Sequence, residues 1–145
     1  MTAELDPRVQ ALNVAGGFNT ANGVVILDWR DGAAEVKIDL TPAHLNPLGL
    51  VHGGVYTAML DVALAICGSY SPPPAALLPG LTLTLTTQFL APMRLEDGVA
   101  VARARRTGGG ASVFFAAGEV VAPDGRIIAT ASGVFKPGRM PKPAV

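Results

Sequence analysis

The stretch 46-NPLGLVHGGVYTAMLDVALAICG-68 decides how the rest of the chain must be arranged. Its second half predicts a helix from Gly54 to Gly68, with apolar residues such as Val55, Tyr56, Met59, Val62 and Ile66 on nearly every side. A helix that is apolar all round belongs inside a core. Gly68 is a stop signal, and Ser71-Pro72-Pro73-Pro74 prevents continuation. Just upstream, Gly53 and Gly54 free the backbone for close approach by a ligand. The unpaired N–H groups of a helix start, with the helix dipole, favour a negatively charged oxygen there. Two turns further on stands Asp61, the sole acidic or basic side chain between Leu40 and Met93, histidines aside. A buried carboxylate is costly unless solvated or hydrogen-bonded. Packing alone would place Ala or Leu at 61, so a catalytic role is expected.

Outward from the helix, strand patterns dominate. Val24–Trp29 and Ala33–Leu40 read as strands joined through Arg30-Asp31-Gly32, and residues 41–51, with Pro42 and Pro47, as an ordered loop. Downstream, Leu81–Ala91 alternates Leu81, Leu83, Leu85 and Phe89 with Thr82, Thr84, Thr86 and Gln88, a period of two. Gly98–Thr107, Ala111–Ala122 and Arg126–Phe135 follow, separated by breaks short enough for antiparallel hairpins. Residues 4–14 predict a short helix with Pro7 in its first turn, residues 16–23 a loop, and the Pro-rich end from Pro137 to Val145 a frayed tail. Two strands, one buried helix and four strands give an α+β domain, a long antiparallel sheet wrapped on one helix, with the leucine side of 81–91 covering it. One domain spanning 1–145 is expected, its first 20 residues a helix and loop.

Composition narrows the function. Eleven basic and eleven acidic side chains cancel, against a nucleic-acid partner. The single cysteine, Cys67, excludes an internal disulfide and a cysteine-based zinc cluster, and His44 and His52 have no local third ligand, so no metal is expected. The best candidate for a membrane helix, Gly53 to Gly68, has Asp61 in its middle and falls short of the ~20 residues a bilayer needs, and no basic segment and apolar run open the chain, so neither a membrane helix nor a secretory signal is expected. A soluble protein of the cytoplasm fits these features. Charge is uneven: residues 1–93 carry three basic and seven acidic groups, residues 94–145 eight and four. That basic half suits either a solvated sheet face or a rim that attracts an anionic ligand such as a nucleotide phosphate.

Asn46, His52-Gly53-Gly54 and Asp61, with Pro79-Gly80 leading into the strand to Pro92 and on to Phe135, resemble the hotdog-fold acyl-CoA thioesterases of the phenylacetate-degradation type. That is the PaaI-type branch of the 4-hydroxybenzoyl-CoA thioesterase-like superfamily. The resemblance implies a hotdog fold and hydrolysis of an acyl-CoA thioester to a carboxylic acid and free coenzyme A, with no cofactor beyond the substrate's own coenzyme A. It implies that the Gly53 N–H polarises the thioester carbonyl, that Asp61 serves as general base or nucleophile, and that Asn46 and His52 shape the oxyanion side. Thr82 matches a hydroxyl that orients water or the carboxylate. The alternation with Leu81 and Leu83 points Thr82 away from the core, so that role needs a cleft or a bulge. Gly54 and Tyr56 are candidates to line the substrate. Gly110 stands where relatives carry a cation for the coenzyme A phosphates, which leaves Arg105, Arg106, Lys136 and Arg139 as candidates. Two alternatives share these features: a hotdog hydroxyacyl-thioester dehydratase and a non-catalytic acyl-CoA binding protein.

Distance adds an independent constraint. Eight helical residues separate Gly53 from Asp61 by ~12 Å. A base and an oxyanion donor acting on one carbonyl must lie within about 6–8 Å of each other. One chain fails that test, whereas two copies with antiparallel helices about a two-fold axis pass it. A homodimer is therefore the expected minimal active unit, and the family resemblance implies further pairing into a tetramer.

Overall fold

The computed structural model describes residues 4–139. Its elements are α1 (Pro7–Asn13), α2 (Gly17–Ala21), β1 (Val24–Arg30), β2 (Ala33–Asp39), α3 (Gly53–Cys67), β3 (Leu81–Phe89), β4 (Val99–Gly109), β5 (Phe114–Val121) and β6 (Ile127–Lys136). The strands form one antiparallel sheet in the order β1-β2-β4-β5-β6-β3. α3 lies across its concave face. The α+β arrangement of a sheet curled on one helix is the hotdog fold.

Sequence explains how closely helix and sheet approach. The inward positions of β4 are Ala100, Ala102 and Ala104, and those of β5 include Ala116 and Gly118. A Cβ on Gly118 would lie 2.5 Å from the Arg103 carbonyl oxygen and 2.9 Å from Leu64 Cδ1, so the close approach of β4 and of the helix leaves no room for a side chain there. Phe114 and Phe135 stack at one end, with ring centroids 5.3 Å apart, and Phe114 fills the space that a side chain at Gly68 would need. This core holds Met59, Leu60, Ala63, Leu64 and Ile66 of α3.

Several expectations need correction. Residues 16–23 are not all loop, since Gly17–Ala21 forms α2, entered through Gly16 and Gly17 at positive φ. The segment 81–91 does not form a hairpin with β4. It pairs only with β6, at the far edge of the sheet. Nor does its leucine side cover the helix: Leu81, Leu83 and Phe89 are 66%, 54% and 58% exposed, and Leu85 alone of that set packs on the core. α3 is likewise not hidden on all sides. Gly54, Thr57, Ala58, Asp61 and Val62 share the face turned away from the sheet, and this chain leaves them at least partly exposed. One curved sheet covers only one side of a cylinder. The expected frayed end begins packed, with Gly138 tight against the Leu78 and Pro79 carbonyls, and residues 140–145 lie outside the described residues.

Candidate active site

The start of α3 is set by His52, its N-cap. The His52 N–H donates to the His44 carbonyl at 2.8 Å. Its Nδ1 accepts the Gly54 N–H at 2.8 Å and its carbonyl accepts the Val55 N–H at 2.9 Å. Two of the orphan donors of a helix start are thus satisfied. The Gly53 N–H is left without an acceptor among the described residues. Room is tight at both glycines: a Cβ at 54 would lie 2.9 Å from His52 Nδ1, and one at 53 would lie 3.2 Å from Phe89 Cε1, contacts that those exposed side chains must shift to relieve. Because His52 accepts at Nδ1, its ring proton sits on Nε2, which faces solvent.

Asn46 braces the loop before the helix. Its Oδ1 accepts the N–H groups of Leu48 (2.9 Å) and Leu50 (3.1 Å), and its backbone N–H donates to the Leu50 carbonyl at 2.7 Å. The side-chain oxygen is therefore committed to the loop, leaving Nδ2 as the group free to meet a ligand. His44, dismissed as a metal ligand from sequence, is a second brace. It is 6% exposed, with Nδ1 accepting the Thr41 N–H at 3.0 Å and Nε2 donating to the Asn22 carbonyl at 2.8 Å. Nothing in the spacing of the histidines signalled that role.

Asp61 is partly exposed rather than fully buried, because it stands on the uncovered face of α3. The Thr82 hydroxyl donates to Asp61 Oδ1 at 2.5 Å. A bulge brings it there. β3 pairs Thr82 with Phe135 and Thr84 with Val134, so one extra residue intervenes on β3. With side chains alternating at period two, one inserted residue reverses the side of everything before it. Leu85 and Phe89 face the helix on one side of the bulge, and Thr82 faces it on the other.

The remaining predicted residues are dispersed. Tyr56 is 3% exposed, its ring 6.5 Å from that of Phe89, and its hydroxyl has no hydrogen-bond partner. Burial raises its pKa, and the nearby Met93 backbone offsets this in part. Arg105 and Arg106 do not converge. Arg105 stands on the outer face between Ala33 and Ala117, whereas Arg106 lies over the Phe114 ring at 5.6 Å, beside the C-terminal end of α3. There it joins Ser69, Tyr70, Ser71 and Pro137 around a cavity of about 270 Å³. Lys136, paired with Leu81, and Arg139 are exposed near the same end. Burial pushes the Cys67 thiol up to about 12, which makes it unreactive. Among the described residues no three His, Cys, Asp or Glu side chains group as metal ligands, and no helix is long and apolar enough to cross a membrane.

A hotdog sheet with an amide donor at its helix start and a carboxylate on the same helix defines a class, and comparison with known proteins places the chain within it. The sequence profile of the Thioesterase superfamily matches residues 48–129, and the chain belongs to that family. Solved structures agree in fold. The PaaI protein of the Escherichia coli phenylacetic acid degradation operon is 22% identical, with a TM-score of 0.75, over 90% of each chain. Zebrafish thioesterase superfamily member 2 is 20% identical, with a TM-score of 0.75, over 90% of this chain and 93% of its own. A phenylacetic acid degradation-related protein of Ralstonia eutropha is 29% identical, with a TM-score of 0.71, over 90% and 99%. No curated protein sequence matches.

Proposed function

We propose that this thioesterase-family chain hydrolyses acyl-CoA thioesters to a carboxylic acid and free coenzyme A, in active sites shared between two copies. The supporting observation is how α3 and β3 are laid together. Gly53, whose N–H has no acceptor among the described residues, packs against Phe89 at one end of β3, and Asp61 is held by Thr82 at the other. β3 is an uncharged, exposed edge strand, open to pairing with another chain. Antiparallel self-pairing about Leu85 sets Phe89 opposite the partner's Leu81 and Gln88 opposite the partner's Thr82. Gly53 then lies beside the partner's Asp61, removing the ~12 Å that separates the two groups along one helix.

In that site the Gly53 N–H donates to the thioester carbonyl oxygen. A water attacks the carbonyl carbon and gives its proton to Oδ2 of the partner's Asp61, while the C=O electron pair moves onto the oxygen. The partner's Thr82 occupies Oδ1 and so leaves Oδ2 for the proton. The tetrahedral adduct collapses, the C–S bond breaks, and the proton passes to the departing thiolate. The coenzyme A phosphates run toward the C-terminal end of the partner's α3. Arg106 there has no carboxylate partner among the described residues. Near the α3 N-terminus, by contrast, Arg126 is already tied to Asp97 and Asp124.

Thiol release from a panel of acyl-CoA substrates, read with a thiol-reactive dye, tests the activity. Release by the wild type and its loss in Asp61→Asn are expected. Unchanged release in that variant would remove Asp61 from the chemistry. Saturable acyl-CoA binding without release would favour a binding protein, and hydration of crotonyl-CoA a dehydratase.

A further inference from the structure

The segment joining α3 to β3 has few means of holding its own shape. Pro72, Pro73, Pro74 and Pro79 carry no N–H. Its ends are tied to α3, where the Ser69 N–H donates to the Ile66 carbonyl and the Gly80 N–H to the Ala65 carbonyl. Within residues 70–79 the one internal backbone bond runs from the Ala75 N–H to the Pro72 carbonyl, at 3.2 Å. Among the described residues, the hydrogen bonds that reach this stretch from elsewhere all come from Arg8 of α1. Its Nη1 donates to the carbonyls of Ser71 (2.8 Å) and Ala75 (2.7 Å), on either side of the proline run. The guanidinium is itself aimed. Nε and Nη2 donate to the Asp6 carboxylate at 3.0 and 2.7 Å, and Cζ lies over the Trp29 ring, 4.6 Å from its centroid. Trp29 is fixed in turn, its Nε1 donating to the Ile66 carbonyl at 2.9 Å and its ring meeting Tyr70 edge-on at 5.1 Å. The arm has a firm base, since Val9 is buried and Asn13 binds both backbone groups of Ile26. An arginine fork spent on a carboxylate, two carbonyls and a ring face is a clamp rather than a solvated charge.

The clamped stretch borders the cavity of about 270 Å³ at the C-terminal end of α3, where Ser69, Tyr70 and Ser71 are lining residues together with Arg106, and Arg8 is not. The negative end of the α3 dipole is covered there. The Ala65 carbonyl accepts the Gly80 N–H and the Ser69 hydroxyl, both at 2.8 Å, and the Ile66 carbonyl accepts from Ser69 and Trp29. The charge of Arg106 is therefore not offset by bare helix carbonyls. We propose that Arg8 is a positioning residue for coenzyme A: it holds the 69–75 backbone in the shape that forms this cavity beside Arg106, without touching the substrate. The inference rests on the proposed hydrolysis and on the path of the phosphates toward Arg106. A loop that holds the binding shape for only a fraction of the time lowers the apparent affinity by that fraction. Loss of the clamp is thus felt at the phosphate-bearing end of the substrate, away from the thioester.

The best acyl group of the substrate panel is compared on two carriers, coenzyme A and pantetheine, which present the same thioester with and without phosphates. In Arg8→Gln the coenzyme A-to-pantetheine ratio of kcat/KM should fall about tenfold, through KM. Arg8→Lys keeps the charge but loses the fork, and the ratio should fall by a similar factor. A ratio taken within one variant is insensitive to the fraction folded, so lost stability alone does not move it. A ratio within about twofold of wild type in Arg8→Gln would overturn the clamp. Full recovery in Arg8→Lys would overturn it too, by reducing Arg8 to a charge that attracts phosphate. Should no thioester be cleaved, hydrolysis fails and the clamp is tested alone, by calorimetric titration with adenosine 3′,5′-bisphosphate. Binding that weakens about tenfold in both variants supports the positioning role. No binding to the wild type, or equal affinity in Arg8→Gln or Arg8→Lys, refutes it.

Discussion

The two edges of the sheet are treated in opposite ways. At β1, Asn13 of α1 reaches across the exposed edge. Its Nδ2 donates to the Ile26 carbonyl at 2.9 Å, and its Oδ1 accepts the Ile26 N–H at 2.8 Å. A bulge between Ile26 and Asp28, and the charges of Asp28 and Arg30, complete the blockade. These are the devices by which proteins keep an edge from pairing. β3 has none of them on its free side: nine residues without a charge, and Leu81, Leu83 and Phe89 in solvent. Its one irregularity turns Thr82 toward Asp61 instead of defending the edge. An edge left open beside a carboxylate and a free amide is what the proposed pairing with a second copy requires.

The largest effect should come from the group that the open edge brings to its partner. Asp61→Asn is expected to lower kcat by about 10²–10⁴-fold, the usual worth of a general base. Its melting temperature should stay close to wild type, since Asn keeps the shape and can still accept the Thr82 hydroxyl. Full activity in Asp61→Asn would leave the contrast between the edges without a function.

Defending β3 tests the contrast itself. Leu83→Lys puts a charge on the free edge, and sedimentation should show a shift toward the 14.8 kDa monomer with a matching loss of turnover. A fully active monomer would show that the two edges differ for some other reason. Thr82→Val should cost about 10–100-fold in kcat, following the ~1.5–3 kcal/mol of a hydrogen bond to a charged group. The dimer should be unaffected. A change in oligomeric state with normal kcat would make Thr82 an interface residue only.

The smallest effect belongs to the closed edge. Asn13→Ala should cost about 1–3 kcal/mol in denaturant unfolding, because it leaves two part-buried backbone groups at Ile26 unpaired. Turnover per folded dimer should not move. A fall in turnover would couple the closed edge to the site.

The sequence carried some of this and not the rest. The apolar run of α3, its glycines and its isolated Asp61 were readable because each is a local demand: helix period, backbone space, an unexplained charge. The outer face of α3 was not, since Ala58 and Val62 look the same whether a sheet or a second chain covers them. The pairing of β3 with β6 rather than β4 depends on a crossover that no turn residue announces. Thr82 is the clearest case. Its neighbours predict that it faces away from the helix, and only the count of residues against Phe135 and Val134 reverses that.

Mixed dimers test the shared site most directly. Gly53→Pro removes the N–H at the first helical position, where proline is tolerated, and Asp61→Asn removes the base. Each variant should be inactive alone, with circular dichroism confirming its fold. Co-expressed in equal amounts, they form mixed dimers with one intact site out of two, so turnover should recover to about a quarter of wild type. Mixed dimers that form and stay inactive would place Gly53 and Asp61 in the same chain's site and contradict the account.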